Sequence, residues 1–301
     1  MVDASVYAEF RPLVFAIAYR MLGSASEAED IVQESFLRLH RALEDGEVRA
    51  PKAYLATVAT RLSIDRLRSA RTKREQYVGT WLPEPLIVDE ELEAIAEADT
   101  ADSLSLAFLV LLESLTPVER AVFLLRDVFD YDYGEIADVV GKREDNVRQI
   151  AARARRHVEE RRPRFESSRE ERDRLAERFF AAAAEKDREA MTRLLASDVV
   201  FHGDGGGKVR GAIPQPVFGR DRVARLLLGF ARQSDELGLQ VRLAEINGQA
   251  GAVVFTPEGA PFSVIALDIA EGVVTAVRSI VNPDKLRHIR PLQAPRSDDD
   301  A

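Results

Sequence analysis

The chain has 301 residues, of which 46% are hydrophobic, 31% are charged and none is cysteine. This is the composition of a soluble globular protein long enough for two or three domains, and it excludes disulfides, thiolate zinc sites and thiol nucleophiles. The first 30 residues lack a secretory hydrophobic region and no apolar run reaches membrane-spanning length, so a cytoplasmic protein with no membrane partner is expected. The net charge of −9, taken alone, argues against a nucleic-acid partner. Its location reverses that inference. Residues 76–117 carry nine acidic and no basic side chains, while the rest of the chain is balanced. Basic stretches flank this segment: eight basic residues against Asp65 alone between Arg49 and Arg74, and nine against four acids between Lys142 and Arg164. Local fields of this kind matter more to a polyanion than the whole-chain sum.

Along the chain, Phe10, Leu13, Val14, Ile17, Ala18 and Met21 form one helical stripe, closed by Gly23. Ser26 with Glu29 three residues on predicts a capping-box start for a second helix, with Ile31, Val32, Ser35, Phe36 and Leu39 inward. Its other face shows Asp30, Gln33, Glu34 and Arg38. After a breaker stretch at 44–51, Leu55, Val58, Ala59 and Leu62 mark a third helix running into Arg61, Arg66, Arg68, Arg71, Lys73 and Arg74. The plain expectation is a small helical bundle with one basic helix end. The run Asp30 to Arg38, a loop, and Ala53 to Arg68 resemble region 2 of extracytoplasmic-function sigma factors of the sigma-70 family. The resemblance implies that Asp30, Gln33, Glu34 and Arg38 dock on the β′ subunit of RNA polymerase. It also implies that Tyr54, Arg61, Arg66, Arg68 and Arg71 meet the −10 promoter element, with the loop at 44–51 capturing an unstacked base.

The acidic segment opens with Trp81-Leu82-Pro83-Glu84-Pro85 and continues through Asp89 to Asp102. Thr116 followed by Pro117 then marks a helix start. Tyr133 to Val140 is a short helix closed by Gly141, and Ala137, Gly141 and Val147 have the spacing of a helix-turn-helix, where a small residue, a positive-φ glycine and a packing valine recur. In the next helix Val147, Ile150, Ala151, Ala154 and Val158 share the core face, leaving Gln149, Ala152 and Arg156 opposite, flanked by Arg148 and Arg153. Glutamine suits adenine and arginine guanine in a major groove. The stretch resembles region 4 of the same sigma family, which implies a −35 recognition helix over 144–156 using Asn146, Arg148, Gln149, Arg153 and Arg156. A hydroxyl cap is missing before it, since Lys142-Arg143 precede Glu144-Asp145.

From 168 the pattern changes to helices around Leu175, Phe179, Ala182 and Met191, Leu194, Leu195, then β-rich runs at Val199–Phe201, Gln240–Ile246, Ala252–Phe255, Phe262–Ile269 and Val273–Val281. Asn247-Gly248 and Glu271-Gly272 are hairpin signals. The order resembles SnoaL-like domains of the nuclear-transport-factor-2 superfamily. Asp204-Gly205-Gly206-Gly207-Lys208 and Asn282-Pro283-Asp284-Lys285-Leu286, together with Trp81-Leu82-Pro83-Glu84-Pro85, resemble the extracytoplasmic-function sigma factors with a fused C-terminal SnoaL-like domain (group 41). The resemblance implies that this domain regulates the sigma core. The three motifs then form a latch, in which the glycines permit close backbone approach and Lys208 pairs with Glu84.

The expected fold is multidomain: two all-α sigma domains, a helical bundle at 5–75 and a helix-turn-helix at 105–162, then an α+β SnoaL-like domain at 168–290 with a curved antiparallel sheet. An acidic linker fills 76–104, and 291–301 is an acidic tail expected to be disordered. The expected function is an alternative sigma factor without catalytic activity, cofactor or metal. Its partners would be the β′ and β subunits of core RNA polymerase, −35 and −10 promoter DNA, and an unknown small ligand in the SnoaL-like pocket. Two other readings stay open: a small-molecule-binding or cyclase-like enzyme, with His202 and Asp204 as its candidate base and acid, fused to a DNA-binding module, or a helix-turn-helix regulator that acts without polymerase.

Overall fold

The computed structural model describes residues 4–46, 48–75, 77–87, 103–160 and 168–292, without the side chains of 70–75. The acidic run from Asp89 to Asp102 and the tail at 293–301 lie outside the described residues. The chain divides into two compact units, Met1–Gln76 with Asp89–Pro163, and Tyr77–Val88 with Arg164–Ala301. The first part of the expected linker therefore belongs to the C-terminal unit.

The first unit begins with α1 (Ala4–Leu22), α2 (Ala25–Glu44) and α3 (Pro51–Glu75), which pack on one another through Ile17, Met21, Ile31, Val32, Leu39, Leu55 and Ala59. The cap of α2 is Ser24 rather than Ser26. Gly23 leaves α1 at φ +66, so Ser24 is the residue whose hydroxyl reaches the Glu27 amide, at 3.2 Å, and Ser26 bonds to that hydroxyl instead. After α4 (Leu106–Leu112), Thr116 and Glu119 form a reciprocal capping box at the start of α5 (Pro117–Phe123). The helix ends in a single π turn, Leu124–Val128. α6 (Tyr133–Val140) stops at Gly141 in the left-handed region, φ +64, and α7 (Glu144–Glu159) follows without a side-chain cap. Val122, Leu125, Ile136, Ala137, Val147, Ile150 and Ala151 form the helix-turn-helix core.

The same unit joins the bundle to the helix-turn-helix through two buried guanidinium groups. Arg120 donates to Met21 O at 2.7 Å and pairs with Glu113 at 2.8 Å. Arg20 donates to Ser103 Oγ at 3.1 Å and lies 5.5 Å over the Phe129 ring. A buried charge is tolerated only with partners such as these.

The second unit holds α8 (Arg169–Ala184), α9 (Arg188–Leu194), β1 (Leu195–Asp204), β2 (Val217–Phe218), α10 (Arg220–Glu236), β3 (Gln240–Ile246), β4 (Gln249–Phe255), β5 (Pro261–Ala270) and β6 (Val273–Ile280). The sheet order is β2-β1-β6-β5-β4-β3. It is antiparallel except where β1 meets β6, which pair parallel because the chain returns beside its first long strand in the same direction. The sequence reading did not identify α10, although Val223, Ala224, Leu227 and Leu228 mark its buried stripe. Both hairpin turns have positive φ at two successive residues, Asn247-Gly248 and Glu271-Gly272. Strand alternation points Val199, Phe201, Leu267 and Val277 at Phe179, Val223 and Leu227, and turns His202, Asp204, Asp268 and Arg278 to the opposite face.

Gly251 sits on β4, between β3 and β5, where an added Cβ would lie 2.3 Å from Ile265 O. Gly251→Ala should therefore destabilise the second unit by about 1–3 kcal/mol, read as a lowered denaturant midpoint in chemical unfolding.

Candidate promoter-binding surfaces and linker latch

The burial of one side of each helix decides which side chains it can offer. On α2, Asp30, Gln33 and Arg38 are exposed and Glu34 half-buried, opposite Ile31, Val32, Ser35 and Phe36. Glu34 and Arg38 pair at 2.7 Å. Leu37, which the sequence reading passed over, is 53% exposed on this face; its position three and four residues after Glu34 and Gln33 was the available signal. On α3, Arg66 lies 3.8 Å from Glu27 and 3.9 Å from Asp30, Arg68 pairs with Asp65, and the Tyr54 hydroxyl reaches Arg38 O. The Arg71 side chain lies outside the described residues. Arg61 is engaged elsewhere: it donates to Val139 O at 2.9 Å and to Asp138 O at 2.7 Å, at the C-terminal end of α6. The residues expected at the −10 element are thus on one helix, but this one is held by the helix-turn-helix.

On α7 the inward face is Val147, Ile150, Ala151, Ala154 and Val158, and Asn146, Arg148, Gln149, Arg153 and Arg156 are all exposed. Glu144 and Asp145 occupy the first turn, where carboxylates suit the helix dipole. Arg155 is tied to Asp127 at 2.5 Å.

In the second unit the three motifs converge on Asp204, a fully buried carboxylate at the end of β1. It accepts from the Tyr77 hydroxyl at 2.5 Å, Leu82 N at 2.8 Å, Gly206 N at 3.1 Å and Lys285 Nζ at 2.7 Å. Lys285 Nζ also donates to Leu82 O and lies 4.5 Å over the Trp81 ring and 4.9 Å over the Tyr77 ring. Asn282 donates to the Tyr77 hydroxyl at 2.8 Å. Burial, then the hydrogen bond to Asp204, raises the Tyr77 pKa well above its ordinary value. Pro83, Glu84 and Pro85 are buried, and His288 Nε2 lies 2.7 Å from Pro85 O. Farther along, Leu86 and Asn247 exchange two hydrogen bonds of 2.8 Å, and Ile87 bridges Ile246 on β3. The segment 77–87 is therefore anchored at both sides of the sheet.

The glycine run allows this approach. A Cβ on Gly206 would lie 2.3 Å from Asn282 Nδ2, and one on Gly207 3.0 Å from Val78 Cβ. Gly205 in turn faces Ala212. Lys208 pairs with Asp284, not with Glu84, because Asp284 sits on the turn of Pro283–Lys285 capped by Asn282, while Glu84 lies within the buried linker run. That partner holds the Asp284 carboxyl below its usual range. Leu286 is buried beside the turn. Tyr77, Asn247 and His288 were not singled out from sequence; Asn247 was legible only as a turn residue. His202 shares a face with Asp204, and burial followed by the nearby Arg278 pushes its pKa from 6.5 down to about 4. Arg278 pairs with Asp268 at 2.7 Å, and Gln249 donates to the same carboxylate at 2.7 Å.

Comparison with known proteins accounts for all three folded parts. Residues 6–73 match Sigma-70 region 2, residues 105–158 match Sigma-70, region 4, and residues 176–280 match the SnoaL-like domain. The first two of these domains together define a sigma factor, which binds core RNA polymerase and promoter DNA to initiate transcription. The ECF RNA polymerase sigma factor SigJ of Mycobacterium tuberculosis is 36% identical over 294 residues, covering 94% of this chain and 93% of the relative. A probable ECF RNA polymerase sigma factor of the same organism, SigI, is 30% identical over 285 residues, covering 93% of each. The crystal structure of SigJ is similar with a TM-score of 0.75 and 34% identity, covering 94% of this chain and 98% of that one. The chain belongs to the extracytoplasmic-function RNA polymerase sigma factors, in the form with a C-terminal SnoaL-like domain.

Removing one partner of a buried ion pair strands the other charge. Lys285→Met should cost about 3–5 kcal/mol of second-unit stability, followed in denaturant by the emission of Trp81, the single tryptophan. The His202 pKa is depressed on folding, so the unfolded chain binds more protons between about pH 6.5 and 4. Stability should be fully present above pH 6.5 and fall as pH drops through that window. His202→Phe should flatten this slope in pH-dependent unfolding.

Proposed function

We propose that the two sigma regions divide promoter recognition between α3 and α7, and that the C-terminal domain regulates them mechanically by gripping their connector. In this reading Asp30, Gln33, Glu34 and Arg38 meet the polymerase β′ subunit, with Leu37 adding apolar area. The face of Asn146, Arg148, Gln149, Arg153 and Arg156 reads the −35 element, while Tyr54, Arg66, Arg68 and Arg71 meet the −10 element. Arg61 joins them after it leaves the carbonyls of α6.

The observation that carries the regulatory reading is the saturated Asp204 site, which binds the connector through Tyr77 and Leu82. Gripping 77–87 removes these residues from the extensible part of the connector between the two regions, a loss of about 36 Å of reach at full extension. The grip also supports a non-catalytic domain. Of the carboxylates on the His202 face, Asp204 is committed to four donors, and Asp268 to Arg278 and Gln249. The helix-covered face of the sheet is filled by Phe179, Phe201, Leu227 and Leu267.

The reading is tested by promoter-specific transcription with purified core polymerase. Lys285→Met, Trp81→Ala and deletion of about the last 20 residues should each change output in the same direction while core binding persists. Output equal to that of the unaltered chain in all three would rule out regulation through the latch. Gln149→Ala should reduce promoter-specific transcripts whatever the state of the latch.

A further inference from the structure

One contact in the helix-turn-helix has no part in the recognition scheme above. Tyr133 is the first residue of α6, Arg126 comes from the π turn before it, and Arg148 from the second turn of α7. The guanidinium carbon of Arg148 lies 4.6 Å from the Tyr133 ring centroid and that of Arg126 lies 5.2 Å from it. Arg126 is itself anchored, donating to Tyr131 O at 2.9 Å and pairing with Asp130 at 3.1 Å. Asp130 takes a left-handed φ of 53°, which turns this segment back toward α6. The ring is half-buried and packs against the helix-turn-helix core. Arg148, by contrast, has among the described residues only the ring and Glu144, one helical turn before it on an exposed surface.

A guanidinium group stacks by its face and hydrogen-bonds by its edge. Arg148 can therefore exchange Glu144 for a phosphate or a guanine edge without leaving the ring. An exposed arginine without such support loses more conformational entropy when DNA orders it.

We propose that Tyr133 is a positioning residue for promoter recognition: its ring holds Arg148 in its DNA-facing place, and Arg126 holds the ring. This rests on the assignment of α7 as the −35 reading helix.

The test uses holoenzyme assembled from the full chain and core polymerase. The probe is a duplex carrying a −35 element that this holoenzyme selects from a random-sequence library. Tyr133→Leu keeps the apolar packing and removes the π face, and should weaken binding about threefold, the scale of one exposed cation–π contact. Tyr133→Phe should retain the affinity of the unaltered chain. In an Arg148→Ala background, Tyr133→Leu should have no further effect. If Phe is as weak as Leu, or if the loss persists undiminished beside Arg148→Ala, Tyr133 is a packing residue and the proposal is wrong. If Gln149→Ala and Arg153→Ala both leave binding unchanged, the −35 assignment fails and takes this proposal with it. If they weaken binding and Tyr133→Leu does not, the positioning role alone is overturned.

Discussion

The ion pair between Asp204 and Lys285 is the constraint on which the C-terminal unit is organised. Its two side chains are 0% and 9% exposed, so neither charge can turn to water for compensation. Such a pair adds little net stability over an apolar pair of the same size, but it strongly penalises any arrangement that separates its members. The carboxylate's remaining lone pairs are met by Tyr77, Leu82 and Gly206, and the ammonium's remaining donors by Leu82 O and two aromatic rings. Segments more than 100 residues apart are thereby brought into one register. The connector is bound there mainly through polar groups: the Tyr77 hydroxyl and the Leu82 amide and carbonyl.

The first unit uses charge in a related way. Arg20 and Arg120 are buried with specific partners, and Arg61 satisfies carbonyls at the end of α6 that would otherwise lack donors. Basic side chains that suit a polyanion therefore also serve as internal contacts. On α7, by contrast, Asn146, Arg148, Gln149, Arg153 and Arg156 are exposed, with Arg148 pairing with Glu144 of the same helix and lying over the Tyr133 ring.

The net charge of −9 has a corresponding meaning. Its excess sits in the connector between two basic stretches, and the beginning of that connector, Tyr77 to Ile87, whose one charged residue is Glu84, is the part incorporated into the SnoaL-like fold.

Helical periodicity was sufficient to place the bundle, and Ala137, Gly141 and Val147 were sufficient to set the turn between α6 and α7, because each depends on residues within about ten positions of one another. The same local rules read Thr116-Pro117 and the two hairpin turns from neighbouring residues. They mistook Ser26 for Ser24, since the outcome depended on the direction in which Gly23 released the chain. The motifs around Trp81, Asp204 and Lys285 were visible as motifs, but their partners were not. Lys208 lies nearer in space to Asp284 than to Glu84, and Tyr77, Asn247 and His288 became part of the latch only when the sheet closed. The parallel pairing of β1 with β6 and the capture of Arg61 by α6 are likewise long-range events. Sequence alone determined which segments are basic, which face of α7 is left outside the core and which segments are unusual. Only tertiary structure decided which charges meet, because a buried charge takes whatever partner the packing of distant segments brings within hydrogen-bond reach.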